Sequence, residues 1–219
     1  MRIEWDKIGE REYETGVKNG VLYPYAEDGY GKGVAWNGLI SVTESPSGAE
    51  STKLYADDSE YGSLTSREEF GGTIEAYMSP PEFDQCDGTA EIAPGVTIGQ
   101  QERKIFGMCY RTVLGNDTKN EDYGYKLHIV YGGKAKPTEK QYSSINDSPE
   151  AATLSWEFTT TPVNVPGHKP TSIVTINSTK VNAEKLKTLE DSLYGTAEKE
   201  PTILMPNKII EIMGVAAAG

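Results

Sequence analysis

The residues able to do chemistry are sparse: two histidines, His128 and His168, and two cysteines, Cys86 and Cys109, in 219 residues. His128 sits in an alternating stretch, on what reads as a polar face, and His168 in the turn Val165-Pro166-Gly167-His168-Lys169-Pro170. Neither has a carboxylate or cysteine at ligand spacing, so no zinc site is expected. No Gly-x-Ser-x-Gly element is present to seat a hydrolytic serine. Gly29-Tyr30-Gly31-Lys32-Gly33 lacks the spacing of a phosphate-binding loop and reads as a turn before a strand. Carboxylates at Glu68 and Glu69, or Glu82 with Asp84, are the kind of pair a glycosidase uses, but any acidic β protein offers them. Asp57-Asp58 and Asn116-Asp117 lack the ligand rhythm of a calcium loop and read as solvated turns. The two thiols form neither a disulfide framework nor a zinc pattern. The expectation is therefore a chain without catalytic residues, cofactor or metal.

Most of the patterned sequence alternates with a period of two. Tyr123, Tyr125, Leu127, Ile129 and Tyr131 share one side of a strand, opposite Gly124, Lys126, His128 and Val130. Leu154, Trp156 and Phe158 alternate with Ser155, Glu157 and Thr159. Thr171 to Ser178, Ile105 to Leu114, Gly72 to Met78 and Trp36 to Thr43 give further strands. The best helix runs from Val181 to Leu193, with Leu186, Leu189 and Leu193 on one face, Asn182 as cap and Gly195 as stop. A short helical turn is expected from Pro80-Pro81-Glu82-Phe83 to Gly88. Short strands punctuated by Gly and Pro predict a mainly β fold: an antiparallel β-sandwich or barrel flanked by one α-helix.

Three regions fall outside that pattern, and the low hydrophobic share of 37% fits them. Residues 1–32 show no sustained periodicity and read as an N-terminal arm. Residues 43–71 form a polar stretch too long for an idle loop, and Tyr55, Tyr61 and Leu64 within it argue for docking. Residues 196–219 read as a C-terminal arm around a core of 72–195. Leu204, Ile209, Ile210 and Ile212 make its 201–213 stretch too apolar to stay solvated, so it packs either on its own domain or on a neighbour. Pro201 and Pro206 disfavour one continuous helix there and favour an extended entry.

A set of strings in a fixed order carries a resemblance across roughly residues 20–195. It begins with Leu54-Tyr55-Ala56-Asp57, Glu68-Glu69, Gly72-Thr73-Ile74-Glu75-Ala76-Tyr77 and Pro81-Glu82-Phe83 with Cys86-Asp87-Gly88. It continues with Arg103-Lys104-Ile105-Phe106-Gly107, Tyr110-Arg111-Thr112, Tyr123 to Gly132, Ser155-Trp156 and Thr159 to Val163. Together these resemble the major tail tube proteins of long-tailed bacteriophages of Gram-positive hosts. The resemblance implies a structural virion protein whose hexameric rings stack into a tail tube that conducts DNA during ejection. It also implies that the long loop and terminal arms join subunits, so Tyr55, Tyr61, Leu64, Leu204, Ile209, Ile210 and Ile212 become subunit-contact candidates. Expected partners are further copies of the chain, a tape measure protein and a tail terminator. Three readings stay beside it: a β-sandwich binding module for carbohydrate or of baseplate type, an enzyme on a β scaffold, and a tube subunit of a contractile tail-like or type VI secretion system.

Charge admits two readings: solubility of a highly expressed cytosolic protein or, with the resemblance, a surface that repels a polyanion at close range. The formal net charge is −12, from 33 acidic and 21 basic residues, and no window is densely basic. Such a chain repels a phosphate backbone, so DNA is expected only in passage through the lumen. No run approaches the roughly 18 apolar residues of a membrane helix, and the start Met1-Arg2-Ile3-Glu4-Trp5-Asp6 shows no signal peptide. No membrane partner is expected, with synthesis in a host cytoplasm and a final place in the virion tail.

Overall fold

A computed structural model describes residues 2–145, 147 and 151–214. The order opens with strands β1 (Glu12–Ala26), β2 (Gly29–Tyr30), β3 (Val34–Ala35) and β4 (Leu39–Glu44). A long excursion carries β5 (Ser47–Gly48), β6 (Ser51–Ala56), β7 (Ser59–Thr65) and β8 (Glu68–Glu69) before β9 (Gly71–Ala76) returns. A 3-10 turn, Pro81–Phe83, leads into the single-turn helix α1 (Asp84–Asp87), closed by Gly88 in the left-handed region. Then follow β10 (Ala90–Ala93), β11 (Val96–Ile98), β12 (Phe106–Asn116), β13 (Asn120–Ala135), β14 (Leu154–Thr160) and β15 (Ile173–Asn177). Helices α2 (Ala183–Leu193) and α3 (Pro206–Met213) end the described chain.

The protein is mainly β, and its large sheet is antiparallel, in the order β2-β1-β12-β13-β14-β9-β4. The curl depends on β13. Its residues Lys126–Val130 pair with β15, and Gly133–Ala135 pair with β14. Gly132 stands at the switch with φ +61, and a Cβ there would sit 2.3 Å from the Thr161 carbonyl oxygen, so only glycine fits.

Two cores result. Inside the curled sheet lie Leu22, Trp36, Ile74, Phe83, Phe106, Met108, Val130, Trp156 and Phe158. Phe83 holds edge-on and tilted aromatic contacts with Trp36, Phe106 and Trp156 at 4.7–5.5 Å. On the outer face of β1, β12, β13 and β15, Leu127, Ile129 and Tyr131 pack against Leu186, Leu189 and Leu193 of α2. Asn182 caps α2, its Oδ1 accepting from the Glu184 and Lys185 amides at 2.9 and 3.3 Å.

Three expectations need correction. Residues 1–32 are not all arm: Glu12–Ala26 pairs along β12, and Val21, Leu22 and Tyr23 are buried. Register shifts around Lys18, with Gly16 and Asn19 at positive φ, break the alternation that marks a strand. The described part of the 196–219 arm also belongs to the body. Ile203 and Ile209 are buried in the helix-side core, and Thr202 N donates to Ser192 O at 2.7 Å. Finally, α3 joins the helices expected at 80–88 and 181–193; its entry is extended, with Pro206 at the first helical turn as the prolines require.

Candidate assembly surface

The segment expected as a loop at 43–71 is a β-ribbon. β4 and β9 pair within the main sheet, and their ladder continues outward through β5–β8 and β6–β7. Asp57 and Asp58 both have positive φ, the signature of the tight hairpin turn whose twist matches the strands. From Thr43 to Glu69 every residue is exposed except Gly62, which is half-buried. Leu54 and Leu64 share one face of the ribbon with Thr52 and Gly62, since Thr52 pairs with Leu64 and Leu54 with Gly62. Lys53 and Glu60 form an ion pair at 2.8 Å on the other face. Tyr61, 79% exposed, occupies the register shift, and Tyr55 stands beside it. A two-stranded hairpin with both faces in water is marginally stable.

Of the other candidates, Ile209 is buried, while Leu204, Ile210 and Ile212 are half-buried; Leu204 and Ile212 pack against the helix-side core of their own chain. Tyr131 Oη donates to the Leu204 carbonyl at 2.7 Å and fixes the entry to α3. A second exposed element is the start of the expected N-terminal arm, whose apolar residues were not among the contact candidates. Ile3, Trp5 and Ile8 project from residues 2–9, Trp5 with 77% of its surface free. That arm is rooted at the β12–β13 turn: Gly9 N donates to Asp117 Oδ1 at 2.9 Å and Asn116 Nδ2 donates to Gly9 O at 3.2 Å. The hairpin β10–β11 adds Ile92, Val96 and Ile98 to the exposed apolar side chains.

The polar face predicted for His128 is instead the end of the sandwich interior, where His128 keeps 7% exposure. Its ring stacks parallel on Tyr110 at 4.8 Å. Nδ1 lies 3.2 Å from Glu44 Oε1, and Nε2 lies 3.0 Å from Thr112 Oγ1 and 3.6 Å from Glu14. Tyr110 Oη donates to Glu44 at 2.6 Å, and Lys126 pairs with Glu14. Hydrogen bonding to His128, opposed by burial and aided by Tyr110, holds the Glu44 carboxyl below its ordinary range. Burial pushes the Glu14 carboxyl upward, but hydrogen bonds from Lys126 and Thr112 outweigh it and leave it lowered.

Thr112, His128 and Glu44 thus stand in the order hydroxyl, imidazole, carboxylate that nucleophilic catalysis uses. The Thr112 hydroxyl donates to Glu14, however, so its proton is directed to a carboxylate rather than to the imidazole. Neither of the two cavities described below includes these side chains. The physical effect of the cluster is to clamp Glu44, the last residue before the ribbon leaves the body. His168, in contrast, lies exposed in its turn.

A second polar cluster pins α2. Arg111 reaches Glu190, its guanidinium carbon lies 4.3 Å and 4.8 Å from the ring centres of Tyr125 and Tyr194, and Nε donates to Tyr194 Oη at 3.0 Å. Burial, then the hydrogen bond to Glu190, raises the Tyr125 hydroxyl to about 12. Both thiols are buried, and burial raises each to about 12, which leaves them unreactive. Among the described residues no group of three or more His, Cys, Asp or Glu is placed to hold a metal ion. Glu68 and Glu69 lie at the ribbon's root, and Glu82 and Asp84 on the 3-10 turn and α1.

Surface cavities among the described residues include two of note. One, about 530 Å³, is lined by Tyr25, Tyr30, Ile105, Val163, Ile203 and Met205, with Asp28 at it. The other, about 760 Å³, lies between the ribbon's root at Thr65–Phe70 and the segment Lys169–Ile173. Compared with known proteins, the chain matches no family model and no curated protein.

Proposed function

We propose that this chain is a structural subunit that assembles with copies of itself, and that the assembly is a bacteriophage tail tube of stacked hexameric rings. One observation carries the reading: the ribbon Ser45–Glu69 is ordered as a hairpin yet exposed on both faces, with Leu54, Tyr55, Tyr61 and Leu64 in water. A protein that keeps such an element needs a surface to lay it on, because ordering its backbone costs about 1–2 kcal/mol per residue against few contacts of its own. Exposed apolar side chains on the arm and on β10–β11 support the same need for neighbours. The net charge of −12 suits a wall along which DNA slides without being held. The sequence resemblance supplies the ring, the tube, the virion location, and the tape measure and terminator partners.

Negative-stain microscopy and sedimentation velocity of the full chain across a concentration series test the reading. Rings or tubes are expected, and a persistent monomer at the highest concentration would overturn it. The variant Leu54→Asp with Leu64→Asp should stay folded with an unchanged melting temperature and form no tubes. Normal tubes from that variant would remove the ribbon from the interface.

A further inference from the structure

The arm and the 530 Å³ groove lie at opposite ends of the molecule. The arm is tied to the β12–β13 turn at Asn116 and Asp117, and the groove opens at Ile105, just before β12 begins. Between them runs the whole of β12, 11 residues, or roughly 35 Å at the rise of a strand. Trp5 is four residues from the tether at Gly9, a reach of about 13 Å when extended. A turn at Lys7–Glu10 shortens it further. The arm therefore cannot reach its own groove.

The two surfaces suit each other. The groove is aromatic and aliphatic, and its walls are already fixed: Tyr30 packs edge-on against Tyr25 at 5.2 Å, and Tyr30 Oη accepts from Gly132 N at 2.7 Å. A fixed wall loses little entropy on binding. The volume lies in the range of about 300–1,000 Å³ that accepts compact ligands. Asp28 makes no ion pair among the described residues, and neither does Arg2, next to Ile3 in the arm; Glu4 is already paired with Lys7 at 2.9 Å. The ribbon tip is a poorer occupant, because Asp57 and Asp58 would meet Asp28 with like charge.

We propose that residues 2–9 of one copy dock in the Tyr25–Tyr30–Ile105–Met205 groove of a second copy, with Trp5 as anchor and Arg2 facing Asp28. The contact is head-to-tail: each copy offers an arm at one end and a groove at the other, so it propagates rather than closing as a two-fold pair. The proposal rests on the self-assembly reading and names a specific contact within it. One arm buries less than the roughly 800 Å² per partner of a stable interface, so it acts together with the ribbon and gains by multivalency.

Trp36 and Trp156 are buried, so Trp5 is the tryptophan whose emission reports docking. In the full chain, emission should shift to the blue as assemblies form. Trp5→Ala should raise the concentration for assembly by roughly thirtyfold or more, the factor for truncating a central aromatic anchor. Val163→Phe, which fills the groove, should do the same; Asp28→Arg, on an exposed turn, should raise it a few-fold and serves if that variant does not fold. An equimolar mixture of the arm variant and the groove variant keeps one working arm and one working groove, and should assemble at a lower concentration than either variant alone. Assembly of Trp5→Ala at the wild-type concentration would overturn the proposal and leave the self-assembly reading standing. A wild type that never assembles would sink that reading first. Trp5 emission already blue-shifted in the dilute monomer would place the arm in cis and also overturn the proposal.

Discussion

Ile209→Ala separates the two roles open to the C-terminal segment. Ile209 retains 7% exposure and belongs to the core that includes Leu186, Leu189, Leu193 and Ile203. Truncating a buried isoleucine to alanine costs about 2–5 kcal/mol, the spread depending on how far the site collapses. α3 is an outer layer of eight residues and can settle inward, which puts the loss at about 2–3 kcal/mol. For a chain of this size the melting temperature should then fall by about 5–10 °C. Calorimetry on the dilute monomer reads that fall directly. Ile209 does not line the groove, so well below its transition the variant should still assemble at the wild-type concentration. An unchanged melting temperature together with lost assembly would refute the reasoning, because it would mean that Ile209 is buried by a neighbour and not by its own helix-side core.

Two further outcomes follow from charge. Glu44 and Glu14 have carboxyls lowered from 4.5 in the folded state, so the stability they supply is present above pH 4.5 and is lost as pH falls through their folded values. Glu44→Gln should cost up to about 1 kcal/mol at neutral pH, with solvent screening its partly exposed side chain, and nearly nothing at strongly acid pH. Denaturant titrations at the two pH values check this, and a difference independent of pH would contradict the clamp. Copies that each carry −12 repel, so assembly should strengthen as salt rises from about 50 to 200 mM, with the exposed Arg2–Asp28 pair too weak to reverse the trend. Turbidity or sedimentation measures it, and steady dissociation with added salt would show that ion pairs dominate the interface.

Much of the fold was legible because its strands bury one face. Trp156 and Phe158 are buried while Glu157 is exposed, as their alternation requires, and the leucine spacing of α2 likewise marks its buried stripe. Legibility failed where both faces are covered or the register slips. β1 is buried at Val21, Leu22 and Tyr23 in succession, and its bulges around Lys18 erase the period, so a central strand read as an arm. α3 was visible as an apolar segment, but nothing in it states which surface it covers.

The sites divide along the same physical line. Exposure of Tyr55, Tyr61 and Leu64 was legible because apolar side chains set among Asp, Ser and Glu cannot build a core of their own. The His128 clamp was not legible, because its partners come from three other strands: Tyr110 and Thr112 on the paired β12, Glu14 on β1 beyond it, and Glu44 on β4, which meets it only through the sheet's curl. That clamp fixes Glu44, and with it the direction in which the ribbon leaves the body. A ribbon with no interior of its own can be held in a set direction only from its root, where Glu44 meets His128 and Tyr110 and where Ser45 N donates to Gly71 O at 2.8 Å. The hydroxyl, imidazole and carboxylate that stand in catalytic order are thus best understood as the mounting of the ribbon.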